Sequence, residues 1–210
     1  MTPEELAERH PRLFHVTEPG AHESIRRHGL LSTRALLERF DVPAAERERL
    51  ATTRRPEAVP LHHPEHGTAV LNDNLPLSEK ALRTCLDDGL TPADWLGILN
   101  AKVFFWADEA GLQRLLGARM NRGRQREVLI FDTHRLAEAH IDSLCLSPIN
   151  SGATLRRAAR RGLATFSRAK DYSYPQWRRL RGRSDRILEV TVDNAVPRAA
   201  DFLLDVRLAP

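Results

Sequence analysis

The chain has 210 residues, room for one sizeable core and short of two full ones, and its 41% hydrophobic and 29% charged content is ordinary for a globular protein. No run approaches the roughly 20 apolar residues of a membrane span, and the charged opening MTPEELAERHPRLF does not read as a secretory signal. A cytoplasmic protein with one domain over residues 1–210 and no membrane partner is therefore expected. The 32 basic and 28 acidic residues leave a net charge of only +4, so placement says more than balance. Only Lys80, Lys102 and Lys170 are lysines, and between Arg156 and Arg186 eleven Arg or Lys residues face two acids, Asp171 and Asp185. Two readings of that stretch stay open, a solvated face and an anion-binding face. Cys85 and Cys145 lie in apolar contexts and are expected as small buried hydrophobes.

In chain order, the pattern predicts a helix over 3–9, a strand over 12–16 (RLFHV) and a helix over 21–29 stopped by Gly29. Helices follow at 34–40 and 44–53. The segment Arg55–His66 (RPEAVPLHHPEH) reads as an extended loop. A strand at 68–71 comes next, then helices at 79–88, started by Ser78, and 92–99, started by Thr91-Pro92. The remainder alternates: strand 102–106 (KVFFW), helix 109–121, strand 126–131, helix 132–140, strand 142–146, helix 174–181, and strands 186–192 and 200–207. Strands are not separated by regular single helices, which disfavours a doubly wound parallel sheet and favours an α+β fold with a mixed or split sheet. In the 186–192 strand Ile187, Glu189 and Thr191 share one face and Leu188, Val190 and Val192 the other, so Glu189 is expected to face away from the Leu/Val set.

Several chemistries lack their motifs. The chain has no phosphate-binding loop of the Gly-x-x-x-x-Gly-Lys-Ser/Thr type, no strand-linked Gly-x-Gly-x-x-Gly, no His-Glu-x-x-His and no paired Cys-x-x-Cys. Gly-x-Ser-x-Gly is absent too, which disfavours an α/β-hydrolase. His62, His63 and His66 lie close together, but no cysteine or acidic cluster completes a metal set, and they are read as loop histidines.

Four stretches do combine: LFHVTEPGAHESIRRHGLLST, NAKVFFWADEAGLQRLL, LSPINSGATLRRAARRGLATF and DRILEVTVDNAVPRAADFLLDV. Over nearly the full length the chain resembles a bacterial family labelled only as a domain of unknown function. More distantly it resembles DarT-type NAD-dependent ADP-ribosyltransferases. That likeness rests on an opening strand with His-x-Thr, a helix and a Gly-Leu-Leu turn, an aromatic middle strand, and a late Glu-bearing strand followed by Val-Pro and another strand.

The resemblance implies an ADP-ribosyltransferase-like α+β domain that consumes NAD as co-substrate and uses no metal. Breaking the nicotinamide–ribose bond passes through an oxocarbenium-like state, as in glycoside cleavage, and Glu189 is the candidate carboxylate. Its alternative is a solvent-facing strand glutamate, although glutamate is not a favoured strand residue. His15 would hydrogen-bond the adenosine ribose, or else be a satisfied core histidine. Thr17 would assist, Ser32 and Thr33 would lie near the same ribose or phosphate, and Phe105 would stack on nicotinamide unless it fills the core. Arg54 or Arg55 would hold the diphosphate or assist at the acceptor, with Arg119 and Arg122 as rivals. Asn150 and Ser151, in the polar loop SPINSGAT, form a second tier.

Many transferases acting on protein arginine carry Glu or Gln two residues before the catalytic Glu, where this chain has Ile187. That argues for another acceptor, DNA or RNA among them. Trp177, Arg178, Arg179, Arg181 and Arg183 would then meet bases and phosphates, unless Trp177 docks into the core and leaves the arginines in water. Toxin-like action with an antitoxin-type protein partner belongs to the same reading. Two other functions stay open: an RNA 2′-phosphotransferase on the same fold, and a non-enzymatic module binding nucleic acid or a partner protein.

Overall fold

Local capping sets where the first helix begins. In the computed structural model, which describes residues 1–155, 158–181 and 186–209, α1 (Pro3–Arg9) starts from a reciprocal capping box between Thr2 and Glu5 with Pro3 in the first turn. It leads into β1 (Arg12–Thr17), α2 (Ala21–His28), the short β2 (Leu30–Leu31), α3 (Thr33–Arg39) and α4 (Ala44–Thr52). A hairpin of β3 (Val59–His63) and β4 (Gly67–Leu71) comes next, then α5 (Glu79–Cys85) and α6 (Pro92–Asn100), the latter capped by Thr91 and Asp94. The second half runs β5 (Lys102–Trp106), α7 (Glu109–Leu116), β6 (Arg126–Asp132), α8 (Thr133–His140) and β7 (Leu144–Ser147). It ends with β8 (Ser167–Arg168), α9 (Tyr174–Arg181), β9 (Glu189–Asp193), β10 (Ala195–Val196) and β11 (Leu203–Ala209).

Seven strands form the main sheet in the order β11-β6-β1-β5-β9-β7-β8, and each of its ladders is antiparallel. The fold is α+β as expected, but the sheet is not mixed. It parts in the middle. β1 pairs with β6 along its whole length, Arg12 to Thr17, yet meets β5 only at Phe14–Trp106. One half is therefore β11-β6-β1 and the other β5-β9-β7-β8, joined at a single register pair.

Helices cover both faces. Leu6 of α1, Leu136 of α8 and Trp177 of α9 pack with Leu13, Leu129, Phe131 and Val190 in the largest cluster. Trp95, Leu96 and Leu99 of α6 gather Leu82 and Cys85 of α5, with Phe104 and Phe166 against them. Leu112 of α7 packs on Phe14, Val128 and Ile130. Burial on both faces leaves the inner strands without a wet side, so Glu189, Val190, Thr191 and Val192 are all buried. Glu189 does face away from Val190 and Val192, which pack in the main cluster, but its own face is covered as well, because alternation marks a wet face only where a sheet has one.

Other departures also have local causes. Residues 59–63 are a strand and not loop: among the described residues β3 pairs only with β4, where Pro60 needs no second ladder bond. The helix expected to reach 121 stops at Gly117, and residues 199–202 form a 3-10 turn ahead of β11. Cys85 and Cys145 are buried free thiols, and burial raises the Cys145 pKa. No helix among the described residues is long and apolar enough to cross a membrane.

Gly29 ties α2 to the sheet periphery. Its φ of +80° and a Cβ position 2.6 Å from the Val196 carbonyl oxygen let β2 lie against β10 (Leu30–Val196, Leu31–Ala195). Gly29→Ala should cost about 2 kcal/mol, lowering Tm by roughly 4–8 °C. An unchanged thermal unfolding midpoint would contradict this close approach.

Candidate functional site

A cavity of about 900 Å³ is lined from both halves of the parted sheet, by His15–Thr17 of β1, Lys102–Trp106 of β5 and Glu189 of β9, and by α2, α3, β4 and Asn150 around them. Glu189 pairs in register with Trp106 on one side and Ser147 on the other. Its carboxylate accepts from the Ser151 amide at 3.1 and 3.2 Å and from the Ser151 hydroxyl at 2.6 Å. Ser151 is held in turn. Its carbonyl accepts from the Arg161 guanidinium at 2.9 Å and from the Trp95 indole at 3.4 Å, and Arg161 also donates to the Ala159 carbonyl at 3.0 Å. Burial pushes the Glu189 carboxyl up to about 7, opposed by the Ser151 hydrogen bonds and the Arg161 charge. Its titration is thereby brought from the ordinary carboxylate range toward neutrality.

His15 bridges the parting. Its Nδ1 lies 2.9 Å from the Phe104 carbonyl oxygen of β5. A carbonyl only accepts, so Nδ1 carries the proton and Nε2 is left as an acceptor. Burial lowers the His15 pKa, against the pull of the Phe104 carbonyl, and favours this neutral form.

Of the expected site residues, His15, Thr17, Thr33, Arg55, Asn150 and Glu189 line the one cavity. Others are committed elsewhere. Ser32 is buried and its Oγ caps α3 by accepting from the Ala35 amide at 3.2 Å. Arg54 donates to the Leu77 and Leu75 carbonyls at 2.6 and 3.3 Å and does not line the cavity. Arg55 is a buried clamp, donating to Asn72 O, Leu50 O and Asn100 Oδ1 at 3.1, 2.6 and 3.1 Å, and burial pushes its pKa down to about 10. Phe105 touches the cavity but is 1% exposed, edge-on to Phe131 at 5.4 Å, so it has no free face to stack on a ring. Ser151 is buried and serves by holding Glu189. Arg119 and Arg122 are exposed and away from the lining.

The proposed acceptor-facing group separates. Trp177 is fully buried in the main core, while Arg178 and Arg179 are exposed. Arg181 covers the Trp177 ring at 4.6 Å and donates to Ala164 O and Ser167 Oγ at 3.3 and 3.1 Å. None of these residues lines the cavity, and Arg183 lies outside the described residues. The alternative weighed above, a helix docking Trp177, is the arrangement found. Missing from the sequence reading were Arg161, whose role needs the contact with Ser151, and Glu127. Glu127 is buried and accepts from the His22 amide and Nδ1 at 2.9 and 2.8 Å, anchoring the β1–α2 turn.

The chain belongs to a family of unknown function, DUF7002, whose model matches residues 11–203. No curated protein matches it in sequence.

The raised Glu189 pKa has a measurable consequence. The folded state binds this proton more tightly than the unfolded chain, so stability present below pH 4.5 is lost as pH rises toward 7. The loss is on the order of 3 kcal/mol. Glutamine does not titrate. Denaturant unfolding should therefore show Glu189→Gln gaining stability relative to wild type between pH 5 and pH 8. A difference that is the same at both pH values would contradict the buried carboxyl.

Proposed function

We propose that the protein is a NAD-dependent ADP-ribosyltransferase whose reaction occurs at Glu189. The observation that carries the reading is the placement of a buried carboxylate, held by Ser151, in a cavity that also holds His15. At about 900 Å³ the cavity is at the upper end of the roughly 300–1,000 Å³ range of ligand pockets, room for a dinucleotide. The DarT-like order of His-x-Thr, aromatic strand and Glu strand supports the same ligand.

The reaction then follows from the residues. The ionised Glu189 accepts from the 2′-hydroxyl of the nicotinamide ribose, and nicotinamide leaves with the electron pair of its bond to the ribose. The ribose cation is stabilised by the carboxylate; at about 4 Å and an effective dielectric near 20 the attraction is about 4 kcal/mol, roughly a thousandfold in rate. Ser151, backed by Arg161, keeps the carboxylate from turning away. The Nε2 of His15 accepts from a hydroxyl of the adenosine ribose. An acceptor nucleophile, DNA and RNA being the first candidates, attacks the anomeric carbon and releases its proton. The buried Ile187 beside this strand offers no second polar group for a guanidinium acceptor. A second reading, NAD-consuming RNA 2′-phosphotransfer, draws on the arginines and histidines that line another wall of the same cavity.

Nicotinamide release from NAD should fall at least a hundredfold in Glu189→Gln. The wild-type kcat/KM should rise through an inflection near pH 7 as Glu189 ionises. His15→Ala should chiefly raise KM for NAD. The assay is run with and without DNA, RNA and cell lysate, the stimulating addition giving the acceptor class. Undiminished release by a folded Glu189→Gln would remove Glu189 from the chemistry. No release by wild type, with no thermal shift from NAD, would favour a non-enzymatic binding module.

A further inference from the structure

One wall of the cavity, built by α2, α3 and the β3–β4 turn, carries Arg27, His28, Arg39 and His66. Arg39 donates to Nδ1 of His28 at 3.0 Å. A guanidinium cannot accept, so His28 is neutral, with its remaining proton on Nε2 as a donor. The Nε of Arg39 is buried and has no hydrogen-bond partner among the described residues. His66 is set in place by stacking on His63, ring centroids 4.4 Å apart, and by Phe40 at 6.1 Å. His63 accepts the Glu65 and His66 amides at 3.1 and 3.2 Å, which fixes the turn.

Two of the acids near this wall have other partners. Asp41 is engaged with His63 at 3.3 Å, and Glu23, one helical turn before Arg27, is engaged with His22 at 3.1 Å. Glu65 is exposed on the turn. Among the described residues neither Arg27 nor Arg39 has an ion pair, whereas Arg124 and Arg126, on the loop before β6 and at its start, are paired with Asp73 and Glu18. Planar guanidinium forks match phosphate oxygens, and both arginines line the cavity.

We propose that this wall is a phosphate-binding subsite, in which Arg27 and Arg39, with His28 and His66 as further donors, receive a phosphoryl group of the cavity's ligand. The subsite deepens the function proposed above and rests on it for one point only, that the ligand is a nucleotide. None of its residues is hydrogen-bonded or ion-paired to Glu189, so the two features can be separated by substitution.

Calorimetric titration with ADP-ribose, with adenosine and with a 2′-phosphorylated RNA dinucleotide tests it on the full chain. Wild type should bind at least one of the two phosphorylated probes, more than tenfold tighter than adenosine and less tightly as salt rises. Arg27→Gln/Arg39→Gln should weaken that binding at least thirtyfold and leave adenosine unaffected. Arg39→Lys should lie between, and the exposed Arg27→Gln alone should weaken binding in a protein whose fold is not in question. Arg119→Gln, exposed and away from the cavity lining, should bind as wild type. Binding of ADP-ribose alone identifies the diphosphate of a dinucleotide as the occupant. Binding of the RNA probe alone keeps the subsite and overturns NAD as the ligand. Failure of wild type to bind either phosphorylated probe, or wild-type affinity in Arg27→Gln and the folded double variant, would overturn the subsite itself.

Discussion

A carboxylate on an inner strand of a sheet covered on both faces has to be held by donors or it will not stay ionisable. Here the amide and hydroxyl of Ser151 hold Glu189, and the rest of the site follows from how Ser151 is held. Its carbonyl takes hydrogen bonds from Arg161 and Trp95, so the turn after β7, the segment ahead of the 3-10 turn Leu163–Thr165 and α6 converge on one residue. Desolvation alone would keep Glu189 protonated. The donors and the Arg161 charge oppose it and leave the group titrating near neutrality.

The second constraint is the parted sheet. An antiparallel sheet that closes fully between its central strands has no room for a ligand there. β1 and β5 meet at one pair and then diverge, and the His15 imidazole, not a ladder amide, reaches the Phe104 carbonyl. Buried carbonyls need a donor, so the histidine satisfies the backbone and presents Nε2 in the cavity at once. This makes the two readings weighed for His15, a satisfied core histidine and a ligand contact, compatible.

Much of the fold was legible because its signals are local. Thr91-Pro92 and Ser78 start α6 and α5, Gly29 ends α2, and β-branched and aromatic runs mark β5 and β6. What was not legible depends on long-range packing. Alternation set Glu189 apart from the Leu/Val set, but a sequence does not show that its own face is covered too. Pro60 and the neighbouring histidines disguised β3. Phe105 and Trp177 are aromatic residues whose bulk fills the core rather than meeting a ligand. Arg161 reads as one of many arginines until its contact with Ser151 is seen, and Arg39 until its pairing with His28. The site residues that sequence did bring together, His15, Thr17, Thr33, Asn150 and Glu189, lie on strands, turns and caps whose positions local rules could set.

The central claim is that Glu189 and His15 address the two riboses of one NAD molecule across the parting. A crystal structure with a non-hydrolysable NAD analogue tests it most directly. The account expects the analogue in the cavity, with the 2′-hydroxyl of the nicotinamide ribose within hydrogen-bond distance of the Glu189 carboxylate and an adenosine-ribose hydroxyl on Nε2 of His15. An analogue bound elsewhere, or in the cavity with neither ribose on these residues, would contradict it.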